Sequence, residues 1–294
     1  MELLNGKETF FAIREELTQK VNKLKQQGKR APHLAAILVG GFGPSLTYVN
    51  AKVKDCEKIG FGSSLIELPT DVTEEILLNK VEELNNNPEV DGFIVQLPLP
   101  KHINENKIIE AINPMKDVDG FHPVNVGKMV LGLPSFVPAT PYGIVEMLKR
   151  NNIETEGKHC VVIGRSNIVG TPMSILLSRK SNPGNCTVTL VHSRTKDLAL
   201  HTQRADILVA AIGKEHFVKA DMVKEGAVVV DVGIHRIEDA SKKNGYRLVG
   251  DVDFENVKEK VSFISPVPGG VGPMTRAGLL LNTMLAYEMK ENNL

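Results

Sequence analysis

Cysteine is scarce in this chain: Cys56, Cys160 and Cys186 are the only three in 294 residues. Their number is odd and their spacing wide. They form neither a disulfide framework nor a metal-ligand pattern, so no metal is expected and a reducing, cytoplasmic compartment is. Net charge is also absent, since 35 basic side chains balance 35 acidic ones. Bulk electrostatics therefore supply no attraction toward nucleic acid or an anionic membrane, and neither is expected as a partner. No apolar run approaches the ~20 residues that a bilayer span needs. Gly278-Leu-Leu-Leu reads instead as the buried face of a terminal helix. The opening segment MELLNGKETFFAIREELTQK is charged throughout and has no apolar signal-peptide core.

What is present suits a globular chain: 42% hydrophobic and 24% charged residues. At about 100–200 residues per domain the length suggests two domains, each able to bury a core. Strand-like and helix-like stretches alternate. His33–Val39 is an apolar run closing on Gly40-Gly41, followed by a helix from about Ser45 to Ile59. Ser63–Leu68 then reads as a strand, Thr73–Asn86 as a helix and Gly92–Leu97 as a strand closed by Pro98. This βαβαβ order predicts a mostly parallel sheet covered by helices. Residues 113–141, rich in Gly and Pro, are expected to wander over the surface before a helix at Pro141–Arg150.

A second series begins at strand Cys160–Ile163 and helix 170–178. Strands Thr187–His192, Asp206–Ala211 and Ala227–Val232 follow, with a possible further strand at Ser262–Ser265. Val228-Val-Val-Asp231 has the apolar character of a strand buried on both faces. Met274–Met289 forms a last helix. The expected fold is thus two α/β domains with a cleft between them. One spans residues 1–141 and is joined by the terminal helix 276–294, because the second sheet looks complete without it. The other, residues 142–275, is Rossmann-like.

Val161-Val-Ile-Gly164-Arg165-Ser166-Asn-Ile168-Val-Gly170 runs an apolar strand through a turn into a helix. A dinucleotide pyrophosphate sits at such a place, held by N–H groups of the helix start. The pattern departs from G-x-G-x-x-G: Ser166 stands at the second glycine and the last glycine is one residue late. An ordinary strand–helix turn is the alternative. After the next strand comes Val191-His192-Ser193-Arg194-Thr195, without the carboxylate that bonds the ribose hydroxyls of NAD. Ser193, Arg194 and Arg165 suit a 2′-phosphate, which favours NADP. They are otherwise solvated loop residues.

Tyr48 and Lys52 lie one turn apart on one helix face. A Tyr-x-x-x-Lys pair also occurs in short-chain dehydrogenases, but there it follows the glycine-rich turn within one domain. Here it precedes Gly164 by more than a hundred residues, which excludes that assignment. Gln96 closes a buried strand, at the carboxyl end where open α/β sheets bind ligands. A polar side chain there needs a partner, and a lysine or a substrate amide would serve. Lys116-Asp117-Val-Asp119-Gly120 places two carboxylates in one loop. It is suited to a cation or a guanidinium-like ligand, or it is simply an Asx-turn.

Together these segments resemble the bifunctional methylenetetrahydrofolate dehydrogenase/methenyltetrahydrofolate cyclohydrolase family. The matching stretches are Ser45-Leu-Thr-Tyr48-Val-Asn-Ala-Lys52, Val95-Gln96-Leu97-Pro98-Leu99, Lys116-Asp-Val-Asp119-Gly, Pro138-Ala-Thr140-Pro141, Gly164–Gly170 and Pro266-Val-Pro268-Gly269-Gly-Val-Gly272-Pro-Met-Thr275. They keep the family's order over nearly the whole chain. The resemblance implies oxidation of 5,10-methylenetetrahydrofolate with NADP, then hydrolysis of the methenyl product to 10-formyltetrahydrofolate, which serves one-carbon metabolism and purine biosynthesis.

It implies that Lys52 is the principal residue of hydrolysis, that Tyr48 stacks beside the folate, that Gln96 orients Lys52 and that Asp119 holds the pterin. Pro268, Gly269 and Gly272 would also contact the substrate. Gly164, Arg165, Ser166, Ile168, Ser193, Arg194 and Ile234 would contact the cofactor, and the chain would be a homodimer. The alternatives are an NAD enzyme of the same family that uses inorganic phosphate at Arg165 and Arg194, a dehydrogenase without hydrolase activity, and a non-catalytic binding protein. The chemistry asks for a readily deprotonated Lys52, its pKa lowered by desolvation and a nearby cation, which the substrate itself could supply in part. Two departures stand out: Arg276-Ala277-Gly278, where the family carries small or apolar residues, and an extended loop at 179–185, expected to reshape the adenosine end of the cofactor site.

Overall fold

A computed structural model describes residues 1–40, 44–242 and 245–292, without the side chains of Pro44 and Ser45. Gly41, at the close of the first apolar run, and the side chain of Ser45, at the head of the Tyr48–Lys52 motif, thus lie outside the described residues. The chain opens with a two-residue strand β1 (Glu2–Leu3) and a long helix α1 (Gly6–Gln26). Then follow β2 (His33–Val39), α2 (Pro44–Ile59), β3 (Gly62–Leu68), α3 (Glu74–Asn86) and β4 (Gly92–Val95). α4 (Glu105–Ala111), α5 (Pro123–Leu131) and α6 (Ala139–Arg150) lead to β5 (His159–Ile163) and α7 (Gly170–Ser178). Next come β6 (Thr187–Val191), α8 (Leu198–Thr202), β7 (Ile207–Ala210) and β8 (Val228–Asp231). A hairpin of β9 (His235–Glu238) and β10 (Tyr246–Val249), α9 (Phe254–Val257), β11 (Phe263–Ile264) and α10 (Val271–Glu291) complete it.

Two compact units result. One comprises residues 12–139 and 277–294, the other residues 1–11 and 140–276. The first holds a parallel sheet in the order β3-β2-β4. β2 is central because six of its seven residues are buried, as an unbroken apolar run between two neighbours requires. Its inner face packs Ala35, Ile37 and Val39 on Leu77, Val81 and Leu84 of α3. Thr73 starts that helix by accepting a hydrogen bond from the Ile76 amide at 3.3 Å.

The second unit holds a six-stranded parallel sheet in the order β1-β11-β8-β7-β5-β6. β7 and β8 are buried throughout, as the apolar run Val228–Asp231 predicted for β8. Two expectations change here. The sheet is not complete without the amino terminus, because Glu2 pairs with Phe263 and Leu3 with Ile264 at its edge. Residues 1–11 therefore group with 140–276, and not with the domain expected to span 1–141. A two-residue strand carries no periodicity by which it could be anticipated. Residues 277–294 of the last helix group with the three-stranded unit, and its earlier residues to Arg276 with the other.

Residues 113–141 are more ordered than their composition suggested. Phe93 and Asp117 form a parallel bridge beside β4, and α5 follows. His122 caps α5, its Nδ1 accepting from the Val124 amide at 3.1 Å, with Pro123 in the first turn. Arg276-Ala277-Gly278 serves packing. Arg276 lies over the Phe10 ring at 4.7 Å, Ala277 is buried, and a Cβ at Gly278 would overlap the Ala139 carbonyl.

Candidate active site

In the three-stranded unit α2 carries Tyr48 and Lys52 on one face. Lys52 is only 8% exposed, and its Nζ donates to Gln96 Oε1 at 3.1 Å. Gln96 stands just beyond β4, where its amide extends the ladder by donating to Ile37 O at 2.9 Å. Its own Nε2 donates to Leu97 O at 2.7 Å, which orients the amide oxygen toward the lysine. The sequence motifs are thereby joined across 44 positions. Tyr48 is half-buried one turn earlier.

The electrostatics of this group run in one direction. Burial disfavours the ammonium and lowers the Lys52 pKa, while the nearby Asp119 opposes the shift. Burial likewise raises the Asp119 pKa against the pull of Lys52. The neighbouring charge supplied by the protein is thus an anion, not the cation expected beside the lysine. Desolvation alone depresses the amine, and Gln96 holds it without adding charge.

Asp117 and Asp119 have separate tasks. Asp117 accepts from the amides of Gly120 (3.1 Å), Phe121 (3.3 Å) and His122 (2.8 Å) and from Asn125 Nδ2 (2.9 Å). Its four donors make it the internal brace of the loop, through bonds reaching three to eight residues on and not the two of an Asx-turn. Burial still pushes its carboxyl up to about 6. The loop is tight enough that a Cβ at Gly120 (φ +75) would stand 2.6 Å from the Pro138 nitrogen. No group of three or more His, Cys, Asp or Glu side chains suited to a metal ion occurs among the described residues. The cysteines are buried, and burial pushes the Cys56 thiol up to about 12 and that of Cys186 to about 11, which makes them poor nucleophiles.

The six-stranded unit gathers the other candidates at the carboxyl ends of its strands. Gly164 follows β5 with φ +113, and a Cβ there would overlap the Ala211 carbonyl. Ser166 Oγ accepts from the amides of Val169 (3.1 Å) and Gly170 (3.4 Å). The serine at the second glycine position therefore engages two amides at the entry to α7, among those expected to meet a pyrophosphate. Arg165, Ser166 and Ile168 are exposed. β6 lies beside β5 in register, Ile163 opposite Val191, so the next turn leaves the sheet at the same level. There the His192 amide donates to Thr195 Oγ1 (2.9 Å) and the Arg194 amide to His192 Nδ1 (3.2 Å), with Ser193 and Arg194 exposed. The exposed set combines a glycine turn at the end of β5 with two guanidinium groups, and it fits a phosphorylated dinucleotide. Ile234 is 47% exposed beyond β8.

Pro268, Gly269 and Gly272 belong to this unit too, after β11, whereas Lys52, Gln96, Asp119 and Tyr48 belong to the other. The extended loop 179–185 leads into β6. It thus lies at the amino ends of the parallel strands, opposite the Gly164 turn and about 16 Å from it by strand rise. It does not shape the adenosine end as expected.

Sequence reasoning missed Asp231, Asp251 and His235. Burial pushes Asp231 up to about 7, offset in part by amides of Val252 and Asp251. A carboxylate closing a strand buried on both faces was the available signal, since such a group needs several donors.

Comparison with known proteins agrees with this geometry. Residues 4–119 match the family model of the tetrahydrofolate dehydrogenase/cyclohydrolase catalytic domain. Residues 138–291 match that of the corresponding NAD(P)-binding domain. The chain is 64% identical over 290 residues to the bifunctional protein FolD of Cytophaga hutchinsonii, covering 99% of this chain and 100% of that one. The crystal structure of the bifunctional FolD enzyme from Campylobacter jejuni superposes with a TM-score of 0.92 at 48% identity, covering 100% of both chains. The FolD of Trypanosoma brucei, solved with NADP cofactor and inhibitor, gives 0.92 at 39% identity, covering 98% of this chain and 97% of that one.

Proposed function

The chain belongs to the tetrahydrofolate dehydrogenase/cyclohydrolase family, and on that premise we propose which of its residues carry each of two reactions. It is a bifunctional enzyme that oxidises 5,10-methylenetetrahydrofolate with NADP and hydrolyses the methenyl product to 10-formyltetrahydrofolate. The observation that carries the assignment of residues is the buried Lys52 amine held by a neutral partner, Gln96.

Bound NADP supplies the hydride acceptor for the first reaction. Gly164, Arg165, Ser166 and Ile168 of the first turn would hold it, Ser193 and Arg194 would meet its 2′-phosphate, and Ile234 would contact it beyond β8. The product of oxidation is a cation, so a folate site crowded with positive charge would oppose it. Lys52 avoids that cost by being readily deprotonated. In hydrolysis water adds to the methenyl carbon, and the neutral Lys52 amine takes the proton that the water loses. The bond from that carbon to one ring nitrogen then breaks as the added hydroxyl becomes the formyl carbonyl; the hydroxyl proton passes to that nitrogen, and the formyl group stays on the other. Asp119 accepts two N–H donors from the amino-pyrimidine edge of the pterin, an arrangement a carboxylate suits well. Tyr48 stacks beside the folate, and Pro268, Gly269 and Gly272 approach it through backbone.

The pH dependence tests Lys52. Hydrolysis should rise with pH as the amine loses its proton and level off above the depressed pKa. Gln96→Glu places a carboxylate at the 3.1 Å contact and favours the ammonium. Its rising limb should move to more alkaline pH, with the rate near neutrality down by about tenfold or more. An unmoved limb would refute the role of Lys52 as the titrating base.

Further coarse properties follow the same reading. The chain works in the cytoplasm and feeds formyl transfer to purine biosynthesis. Balanced charge supports folate derivatives, and not nucleic acid or membrane, as its partners. No helix among the described residues is long and apolar enough to cross a membrane. β6 ends the six-stranded sheet with Leu190 exposed, which supports a homodimer formed through that unit. The deciding experiment is a coupled assay of 5,10-methylenetetrahydrofolate with NADP or NAD, with and without phosphate, following methenyl formation and decay. Turnover with NADP, followed by decay of the methenyl species, is expected. Faster turnover with NAD plus phosphate would favour the phosphate-assisted reading of Arg165 and Arg194.

A further inference from the structure

Asp251 is fully buried, and its carboxylate accepts four hydrogen bonds. Oδ2 receives the amides of Ile212 (2.8 Å) and Gly213 (2.9 Å). Oδ1 receives the Lys214 amide (3.0 Å) and His235 Nε2 (2.8 Å). A carboxylate here is acceptor-only, so the histidine carries its proton on Nε2. Three consecutive amides of the turn after β7 thus converge on one side chain. That turn begins at Ala211, whose carbonyl leaves no room for a Cβ on Gly164.

The same carboxylate anchors a second turn. Gly233 packs so closely that a Cβ would overlap Asp251 Oδ1, and His235 is bonded to that atom. Ile234 is therefore held exposed between two neighbours that both rest on Asp251. Beneath, Asp231 Oδ1 accepts from the Asp251 amide (2.9 Å) and the Gly233 amide (3.0 Å), and Oδ2 from the Val252 amide (3.0 Å). Asp251 is thus itself fixed.

We propose that Asp251, with His235 bonded to it, is the positioning residue of the nucleotide site, setting the Ile212–Lys214 and Gly233–His235 turns in the arrangement that NADP binds. Neither residue touches the reacting atoms, and both act through the two turns. The inference rests on the NADP reading of this unit. It adds a requirement that the glycine-rich turn alone does not carry: the neighbouring turns must be preorganised by a buried acceptor with four donors.

Affinity for NADP, measured by calorimetric titration of the full-length chain, is the test. Asp251→Asn turns an amide NH2 toward donors and leaves at least one of them unpaired. Its Kd for NADP should rise by about tenfold or more. His235→Leu removes one donor and should weaken binding by roughly threefold, while His235→Asn keeps a donor and should restore most of the loss. Methenyl hydrolysis needs no nucleotide, so it should fall far less than NADP affinity in the same preparations. Equal Kd values for parent, Asp251→Asn and both His235 variants would overturn the inference and leave the cofactor assignment standing. Should Asp251→Asn not fold, the His235 pair decides: identical affinities for Leu and Asn would overturn it. A parent chain that binds no NADP would overturn the cofactor assignment and the inference together.

Discussion

Lys52→Met should abolish methenyl hydrolysis while the protein remains folded. The native amine is buried and bonded to Gln96 Oε1, and burial lowers its pKa. Methionine fills similar volume without a charge to desolvate, so the core around α2 survives. What the variant loses is the proposed proton acceptor for the attacking water. General-base catalysis of this kind contributes about 10²–10⁴-fold, and a loss of at least about a thousandfold is expected. The near-ultraviolet absorbance of the methenyl substrate, followed in time, reads the loss directly. Hydride transfer should decline much less, so that 5,10-methenyltetrahydrofolate accumulates when the variant is given the methylene substrate and NADP. Hydrolysis retained at the parent rate would remove Lys52 from the mechanism.

The complementary loss is expected from Gly164→Ala. The backbone at Gly164 has φ +113, a region that residues with a Cβ rarely enter. The added carbon would also overlap the Ala211 carbonyl, a backbone group at the start of the turn directly after buried β7, which cannot swing away as a side chain could. Either the turn after β5 or the turn after β7 must shift, and both belong to the proposed nucleotide site. Strain of this order, together with the displaced turn, should weaken NADP binding on the order of a hundredfold and reduce dehydrogenase turnover correspondingly. Hydrolysis of added methenyl substrate, carried by Lys52 in the other compact unit, should persist. Dehydrogenase kinetics at saturating folate and hydrolysis in the same preparation separate the outcomes. An unchanged KM for NADP would show that the Gly164 turn does not cradle the cofactor.

Much of this was legible from residues alone, and the omissions have particular causes. The alternating runs marked β2, β5, β7 and β8 because strands buried on both faces require continuous apolar character. The turn at Gly164 was visible because a strand, a glycine and a helix adjoin in sequence. β1 was missed because two residues carry no pattern, although Glu2 pairs with Phe263 across the length of the chain. α5 was missed because Gly and Pro dominate around it. Its start depends on the His122 cap and on the brace at Asp117, and both are contacts rather than periodicities. The 179–185 loop was placed at the wrong end of the sheet because sequence shows only that a loop adjoins a strand. The direction shared by parallel strands determines which edge it occupies.

The three cysteines are buried as free thiols, and Cys160 and Cys186 lie close enough to interact. Spacing by itself determined that Tyr48 and Lys52 share a helix face and that Arg165 lies in a strand-to-helix turn, since both are consequences of local backbone geometry. Only the tertiary structure decided that Lys52 is buried, that its partner is Gln96, that the Asp119 charge opposes its deprotonation, and that Asp251 bonds two turns. Those facts depend on desolvation and on donors brought from distant positions, and local spacing encodes neither. A lysine's sequence neighbours do not reveal how much water surrounds its amine, and it is the removal of that water that makes the amine a base.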